Sequence, residues 1–125
     1  MATSGLIKRR WRFYRTPAGR RVVDEFMDAL SDFDAAAVVA AMRDVRERGL
    51  KAARHLRGDI YEVRADGADD SYRLLFSAEG GKSRILLGLH ALAKHTQKTP
   101  DRDLRKAERR LSEWRQRGKA IRPRA

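Results

Sequence analysis

The segment at residues 84–92 constrains the fold most, because it is apolar at nearly every position. Its sequence, RILLGLHAL, is far too short to span a membrane and is typical of a β-strand that is covered on both faces. Gly80 and Gly81 lie just before it and supply the positive φ that a tight hairpin turn needs. The segment therefore predicts the central strand of a sheet, paired with the strand before the turn.

Alternation of apolar and polar residues predicts three further strands. The period is two over residues 8–15, 59–64 and 71–77, which suits strands that are half buried. Elsewhere the apolar spacing is three and four, which predicts helices. The predicted helices are a first at roughly 17–30 with Thr16 as its cap and Pro17 as its first residue, a second from the Ser31 cap to Gly49, and a third at roughly 100–117 with Thr99 as its cap and Gly118 as its end.

The predicted order of elements is β-α-α-β-β-β-α. This order defines an α+β domain: a mostly antiparallel sheet with a two-helix layer and a C-terminal helix, the helices grouped on one side. With 125 residues, we expect a single domain over 1–125, with an ordered core at about 8–117 and a basic tail at 118–125. The absence of cysteine, of a membrane-length apolar run and of a signal-peptide pattern predicts a cytoplasmic protein with no membrane partner.

The charge of the chain is concentrated at its two ends. The formal net charge is +12, and it divides into +7 over residues 1–23, −3 over 24–93 and +8 over 94–125. A mildly acidic middle with strongly basic ends is typical of a scaffold that carries a surface for polyanions, although solvated basic faces also exist for solubility. The asymmetry favours a nucleic acid as partner.

Two arginines occupy strand positions where a cation needs an anion. Arg73 points away from the apolar face of its predicted strand, and Arg64 shares a face with Ile60 and Glu62. Within a sheet, a guanidinium finds either an internal carboxylate or an external phosphate. The sequence leaves both open: a cross-strand ion pair with Glu62, or a phosphate site.

A polar loop follows the apolar strand. Lys94, His95 and Lys98 cluster where the strand ends and just before a predicted helix N-terminus, which also favours anions. This content indicates phosphate binding and proton transfer. His90 is interpreted as a buried strand residue and His55 as a surface residue, and the histidines lack metal-like spacing. No Walker, dinucleotide or nucleophile-elbow motif is present, so no metal and no cofactor are predicted.

Three motifs resemble a known family. The runs GDIYEVR at 58–64, SYRLLF at 71–76 and LGLHALAKHTQKTP at 87–100 are similar to those of the HigB branch of the RelE/ParE toxin superfamily, including its phage-derived relatives. The resemblance covers roughly residues 10–117, and the third motif is the specific one. Departures from the usual pattern are Ala91-Leu92 for Gly-Phe, His95 for Lys and Phe76 for Tyr.

The resemblance implies a RelE-like fold and the toxin of a type II toxin–antitoxin pair. Such a toxin cleaves mRNA on the translating 70S ribosome, and a helix-turn-helix antitoxin neutralises it. Operator DNA would then be contacted only through the antitoxin complex. Members similar to ParE poison DNA gyrase instead, and a degenerate toxin would only bind its antitoxin or operator, so both remain alternatives.

The roles of the site residues follow from this resemblance and from the chemistry of RNA cleavage. Arg73 stands where relatives carry a catalytic arginine and is expected to bind the scissile phosphate, with Arg64 beside it. His95 is the expected acid or base, since its ordinary pKa of about 6.5 is closest to neutral pH. Lys94 is expected to stabilise charge, and Lys98 to hold the RNA backbone.

The basic ends are expected to grip ribosomal RNA. For the last helix, the alternative without a function is a solvated basic face around an apolar stripe. The edge of that stripe is also a candidate contact for the antitoxin. The residues expected to bind RNA are Arg9, Arg10, Arg12 and Arg15 near the N-terminus and Arg102, Arg105, Lys106, Arg109 and Arg110 on the helix.

Overall fold

A five-stranded sheet carries three helices in the structure, a computed structural model that describes residues 8–94 and 97–121, with side chains as far as 118. The spatial order of the strands is β1-β5-β4-β3-β2; β1 runs parallel to β5, and every other pair is antiparallel. The elements are β1 (Arg10–Phe13), α1 (Val22–Asp28), α2 (Asp32–Arg48), β2 (Arg54–Arg57), β3 (Ile60–Asp66), β4 (Ser71–Glu79), β5 (Ile85–Ala93) and α3 (Asp101–Ile121).

The predicted α+β class is confirmed, with two differences in the sheet. The strand at 84–92 is interior and buried as predicted, but β4 rather than β5 occupies the middle of the sheet. A strand that the periodicity did not predict, β2, pairs with β3 at the sheet edge. Its sequence, RHLR, has one apolar residue and is largely exposed, so it carries no alternation that a pattern could detect.

Two helix boundaries of the structure differ from those that the cap residues predict. Thr16 and Pro17 do not begin α1: the Thr16 hydroxyl accepts a hydrogen bond from the Arg20 N–H at 2.9 Å, closing a turn, and the helix starts at Val22. Ser31 caps α2 as predicted, since its Oγ accepts from the Asp34 N–H at 3.1 Å. The third helix continues through Gly118 to Ile121, so the predicted end at Gly118 is wrong.

The sheet is covered on both faces rather than on one. The residues of β4 alternate as predicted between the two faces, and each face is apolar enough to need its own cover. One core lies under α1 and α2 and includes Val23, Val38, Val45, Tyr72, Leu74 and Phe76, and the other lies under α3 and includes Tyr14, Ile60, Leu75, Leu87, Ala107 and Leu111.

Placing α3 alone on its face positions the polar cluster. The helix begins at Asp101 and covers only part of the sheet, so Arg64 and Arg73 lie on the same face beside its N-terminus. No helix in the described part of the chain is long and apolar enough to cross a membrane.

Candidate active site

The two predicted arginines lie directly opposite each other on neighbouring strands. Arg64 of β3 is in register with Arg73 of β4, and Glu62 lies on the same face of β3. The Glu62 carboxylate is 1% exposed and binds Arg64, with Nε to Oε2 at 2.8 Å, while the Arg73 Nε lies 3.9 Å from Oε1. Two facing guanidiniums would repel each other, so one buried carboxylate holds both. The ion pair considered at the sequence level is confirmed.

Thr99 joins this cluster from the segment before α3. Its hydroxyl accepts a hydrogen bond from Nη1 of Arg73 at 2.9 Å and donates one to Glu62, and the residue is 5% exposed. The predicted cap residue is thus turned into the sheet. A buried guanidinium and carboxylate that are joined through one hydroxyl form a fixed network, because each partner limits the rotamers of the others.

Arg64 and Arg73 differ in their access to solvent. The Arg64 side chain is 29% exposed and donates to the Gln97 side-chain oxygen at 3.1 Å and to the Gln97 carbonyl. The Arg73 side chain is 2% exposed, and its Nε has no hydrogen-bond partner among the described residues. Burial, and then the charge of Arg64, hold the pKa of Arg73 below its ordinary value, against the opposing effect of Glu62. Arg64 is therefore the cation that faces an incoming anion first.

The loop residues predicted for phosphate binding lie beside this cluster. Lys94 directly follows β5, its N–H donates to the Ser71 carbonyl at 2.8 Å, and its side chain is half-buried. Lys98 is exposed. His95, the expected acid or base, lies outside the described residues, so its role stays a prediction.

The residues predicted to bind RNA divide between two surfaces. Arg12 lies on β1, at the edge of the sheet far from β3. On α3 the stripe that includes Ala107 and Leu111 packs against the sheet, as the solvated-face interpretation requires. The other predicted residues, Arg102, Arg105, Lys106 and Arg109, are exposed on α3, and Arg105 pairs with Asp101.

His90 is part of a second polar cluster that the sequence analysis did not identify. Its Nε2 lies 2.7 Å from Oδ1 of Asp103, and Arg110 donates to the Leu89 carbonyl at 2.8 Å while its Nη1 lies 3.4 Å from His90 Nδ1. Burial lowers the pKa of His90 although Asp103 opposes this. Both ring nitrogens have partners, so His90 is interpreted as a residue that fixes α3 on β5. His55 is exposed, as predicted, and donates to the Gly58 carbonyl at 2.8 Å.

Thr99 and Gln97 are the site residues that sequence reasoning missed. The sequence predicts a helix cap for Thr99 and no individual role for Gln97. The available signal was the demand of Arg73 for partners: a buried guanidinium has more donors than one carboxylate satisfies, so a neighbouring hydroxyl or carbonyl was required. No group of three potential metal ligands occurs within the residues that the structure describes.

Comparison with known proteins places the chain in a family. Residues 25–112 match the model of a family described as phage derived protein Gp49-like. Proteins from two strains of Mycobacterium tuberculosis, CDC 1551 / Oshkosh and ATCC 25618 / H37Rv, are each described as probable endoribonuclease HigB1. Each is 33% identical to this chain over 107 residues, which cover 83% of the chain and 83% of the relative.

The fold is that of a RelE-like toxin domain. The chain belongs to the Gp49-like family and is a HigB-like member of the RelE/ParE toxin superfamily.

Proposed function

We propose that this protein is the toxin of a type II toxin–antitoxin pair and an endoribonuclease that cuts mRNA on the ribosome without a metal ion. The observation that carries the proposal is the cluster of two guanidiniums on one carboxylate, which leaves an excess positive charge at the surface beside Lys94 and Lys98. The relatives named endoribonuclease support the reaction class.

The reaction that this cluster suits is attack by a ribose 2′-oxygen on the adjacent phosphorus. The 2′-oxygen forms a bond to phosphorus, its proton passes to a base, the bond from phosphorus to the 5′-oxygen breaks, and an acid protonates the leaving oxygen. The products are a 2′,3′-cyclic phosphate and a 5′-hydroxyl. Negative charge accumulates on the phosphoryl oxygens in the transition state, and fixed cations aimed at those oxygens lower the barrier.

Within this scheme each residue has a distinct part. Arg64 contacts the phosphoryl oxygens, because it is the more exposed of the two arginines. Arg73 lies beneath it and adds its charge through a low-dielectric environment. Glu62 orients Arg64 by accepting from its Nε. His95 exchanges the proton, and Lys94 and Lys98 hold the flanking phosphates.

The ribosome and an antitoxin are the proposed partners. This protein offers few groups for acid–base catalysis, so ribosomal RNA that holds the message in line would supply orientation that the toxin lacks. The exposed arginines of α3 would contact ribosomal RNA. A helix-turn-helix antitoxin would neutralise the toxin and mediate any contact with operator DNA.

The test is primer extension on a message translated in a reconstituted system. We expect new 5′ ends with the wild-type protein and a loss of about a hundredfold with Arg64→Ala, since one transition-state donor contributes on this order. Arg64→Lys retains the positive charge but not the forked guanidinium, so its cleavage should lie between that of the wild type and that of Arg64→Ala. Arg46→Ala, at an exposed position on α2, is the matched control and should cut normally.

A double variant, Arg64→Ala with His95→Ala, separates this proposal from its rivals. Normal cutting by the folded double variant would overturn the site assignment. Growth arrest on induction of the wild type with all transcripts intact would overturn the nuclease and indicate a poison of another target such as DNA gyrase.

A further inference from the structure

A groove that the proposed cleavage does not use lies at the β1 edge of the sheet. It encloses about 580 Å³ between the end of β1, the start of α1 and the C-terminal half of α3. Its lining combines aromatic and cationic side chains, among them Arg12, Phe13, Arg15, Arg21, Trp114 and Arg117. We call it the β1-edge groove.

The charges of this groove are only partly compensated. Arg21 pairs with Asp24 at 2.8 Å, and Arg117 pairs with Glu113 on its own helix. Neither Arg12 nor Arg15 forms a salt bridge with any described residue, and both side chains are exposed. The groove therefore presents two cations whose countercharge must come from outside the described chain.

The two tryptophans of the groove differ in what they contact. Trp11 lines the groove, donates its Nε1–H to the Met42 carbonyl at 2.8 Å and packs edge-on against Phe76, so its indole is held on the α1 and α2 side of the sheet. Trp114 is half-buried and packs against the core under α3, and its indole N–H has no hydrogen-bond partner among the described residues. An indole that is partly exposed between arginines is a surface on which a flat ring can stack.

The walls of the groove are held in place. Phe13 lies so close to β5 that a side chain at Gly88 would come within 2.7 Å of its ring. Tyr14, at the end of β1, donates to Glu113 at 2.8 Å, and the guanidiniums of Arg110 and Arg117 lie 5.8 and 5.6 Å from its ring centre. Burial, followed by Glu113, raises the pKa of Tyr14, so it remains a donor. The groove is thus preformed.

We propose that the β1-edge groove binds an unpaired RNA nucleotide, with its base stacked on Trp114 and its phosphates held by Arg12 and Arg15. Stacking on an aromatic side chain together with cations along the backbone is the general mode by which proteins hold single-stranded nucleic acid. An acidic peptide would use the cations but gain little from the partly exposed indole of Trp114.

The groove is separate from the cleavage site. β1 lies two strands from Arg73 and three from Arg64, which is about 10 and 14 Å at the usual strand spacing. An RNA strand that occupied both the groove and the cleavage site would be held by the groove a few nucleotides away from the bond that breaks. The inference rests on the proposed function for its ligand, RNA, but its test requires no cleavage.

The first experiment uses the two tryptophans as reporters. Trp11→Phe leaves Trp114 as the sole tryptophan, and Trp114→Phe leaves Trp11. A short single-stranded RNA that is 2′-O-methylated throughout is titrated into each variant, so that it cannot be cut. We expect a large saturable loss of emission with Trp114 alone and a smaller loss with Trp11 alone, because Trp11 also lines the groove but its ring lies against Phe76. An abasic strand of equal length has the phosphates without bases and should leave both emissions unchanged.

The second experiment removes the cations without touching the core. Arg12→Gln with Arg15→Gln should weaken binding of the same RNA about tenfold at low salt, as expected for two lost charge-assisted contacts. The slope of log K against log salt should fall by about 1.4. Arg43→Gln with Arg46→Gln removes equal charge from exposed positions on α2 and should change affinity by less than about twofold.

Three results would overturn the inference. The first is an equal loss of RNA affinity in the two double variants, and the second is unchanged affinity in Arg12→Gln with Arg15→Gln. The third is quenching by the abasic strand that equals quenching by the strand with bases. The double variants are needed because Trp11→Phe removes a core hydrogen bond and is interpretable only if the variant folds. Absence of cleavage by the wild-type protein, together with intact quenching, would contradict the proposed function and leave the groove unaffected.

Discussion

The protein uses arginine in two opposite ways at the two sides of its sheet. Around Glu62, arginines are buried or half-buried, compensated by a carboxylate and fixed by Thr99 and Gln97. At the β1-edge groove, Arg12 and Arg15 are exposed and have no carboxylate partner among the described residues. Buried pairs fix geometry at a cost in desolvation, whereas exposed cations add affinity and almost no stability. The buried arrangement suits catalysis, and the exposed arrangement suits the binding of a polyanion.

The largest effect on stability is expected from removing the shared carboxylate. Glu62→Gln keeps the volume but leaves the buried Arg73 uncompensated, which should reduce the free energy of unfolding by about 3–5 kcal/mol. Urea denaturation measures this. Glu108→Gln is the control, because Glu108 pairs with Arg57 in an exposed position and should cost less than about 1 kcal/mol. Similar losses in the two variants would contradict the contrast between buried and exposed pairs.

A smaller effect is expected at the hydroxyl that joins the network. Thr99→Val retains the shape but leaves donors of Arg73 and an oxygen of Glu62 without their partner, at a cost of about 1–3 kcal/mol. Cleavage should fall as well, since Arg73 loses its fixed position. Thr99→Ser keeps the hydroxyl and should retain most of both properties. If Ser and Val behave alike in denaturation and in primer extension, Thr99 acts only by packing.

A third prediction concerns His90, which lies on β5 between the two regions. Its pKa is lowered in the folded protein, mainly by burial, with Arg110 and Lys106 acting in the same direction and Asp103 opposing. The unfolded chain therefore binds the proton first, and stability that is fully present above pH of about 6.5 should be lost as the pH falls, by at most about 1.4 kcal/mol per pH unit.

The measurement is the free energy of unfolding in urea between neutral pH and about pH 5. His90→Gln should remove part of the decline on acidification. His55→Gln is the matched control, since His55 is exposed and should leave the decline as in the wild type. A wild-type curve that rises on acidification would contradict the direction of the His90 shift.

How far the sequence predicts this structure depends on whether a residue's role is local. Alternation placed Arg73 on the face opposite Tyr72 and Leu74, and Ser31 identified the start of α2, because both signals depend on neighbours in the chain. Thr16 and Gly118 gave the same kind of signal but predicted the wrong boundary, since Thr16 closes a turn and α3 continues past the glycine.

The candidate site shows the same limit. The arginines and Glu62 could be found because an isolated cation in a strand demands an anion. The role of Thr99 could not be predicted, because it depends on how a segment distant in sequence folds back over β3 and β4. The β1-edge groove needed the structure as well, since Arg12 and Trp114 are brought together only when α3 packs beside β1.

The smallest effect should come from the exposed cations of the β1-edge groove. Arg12→Gln with Arg15→Gln removes no described salt bridge and no buried contact, so the free energy of unfolding should change by less than about 0.5 kcal/mol. The same variant should bind RNA more weakly, which separates affinity from stability in one protein. If it unfolds as readily as Glu62→Gln, these arginines stabilise the fold, and the division of labour between the two sides of the sheet does not hold.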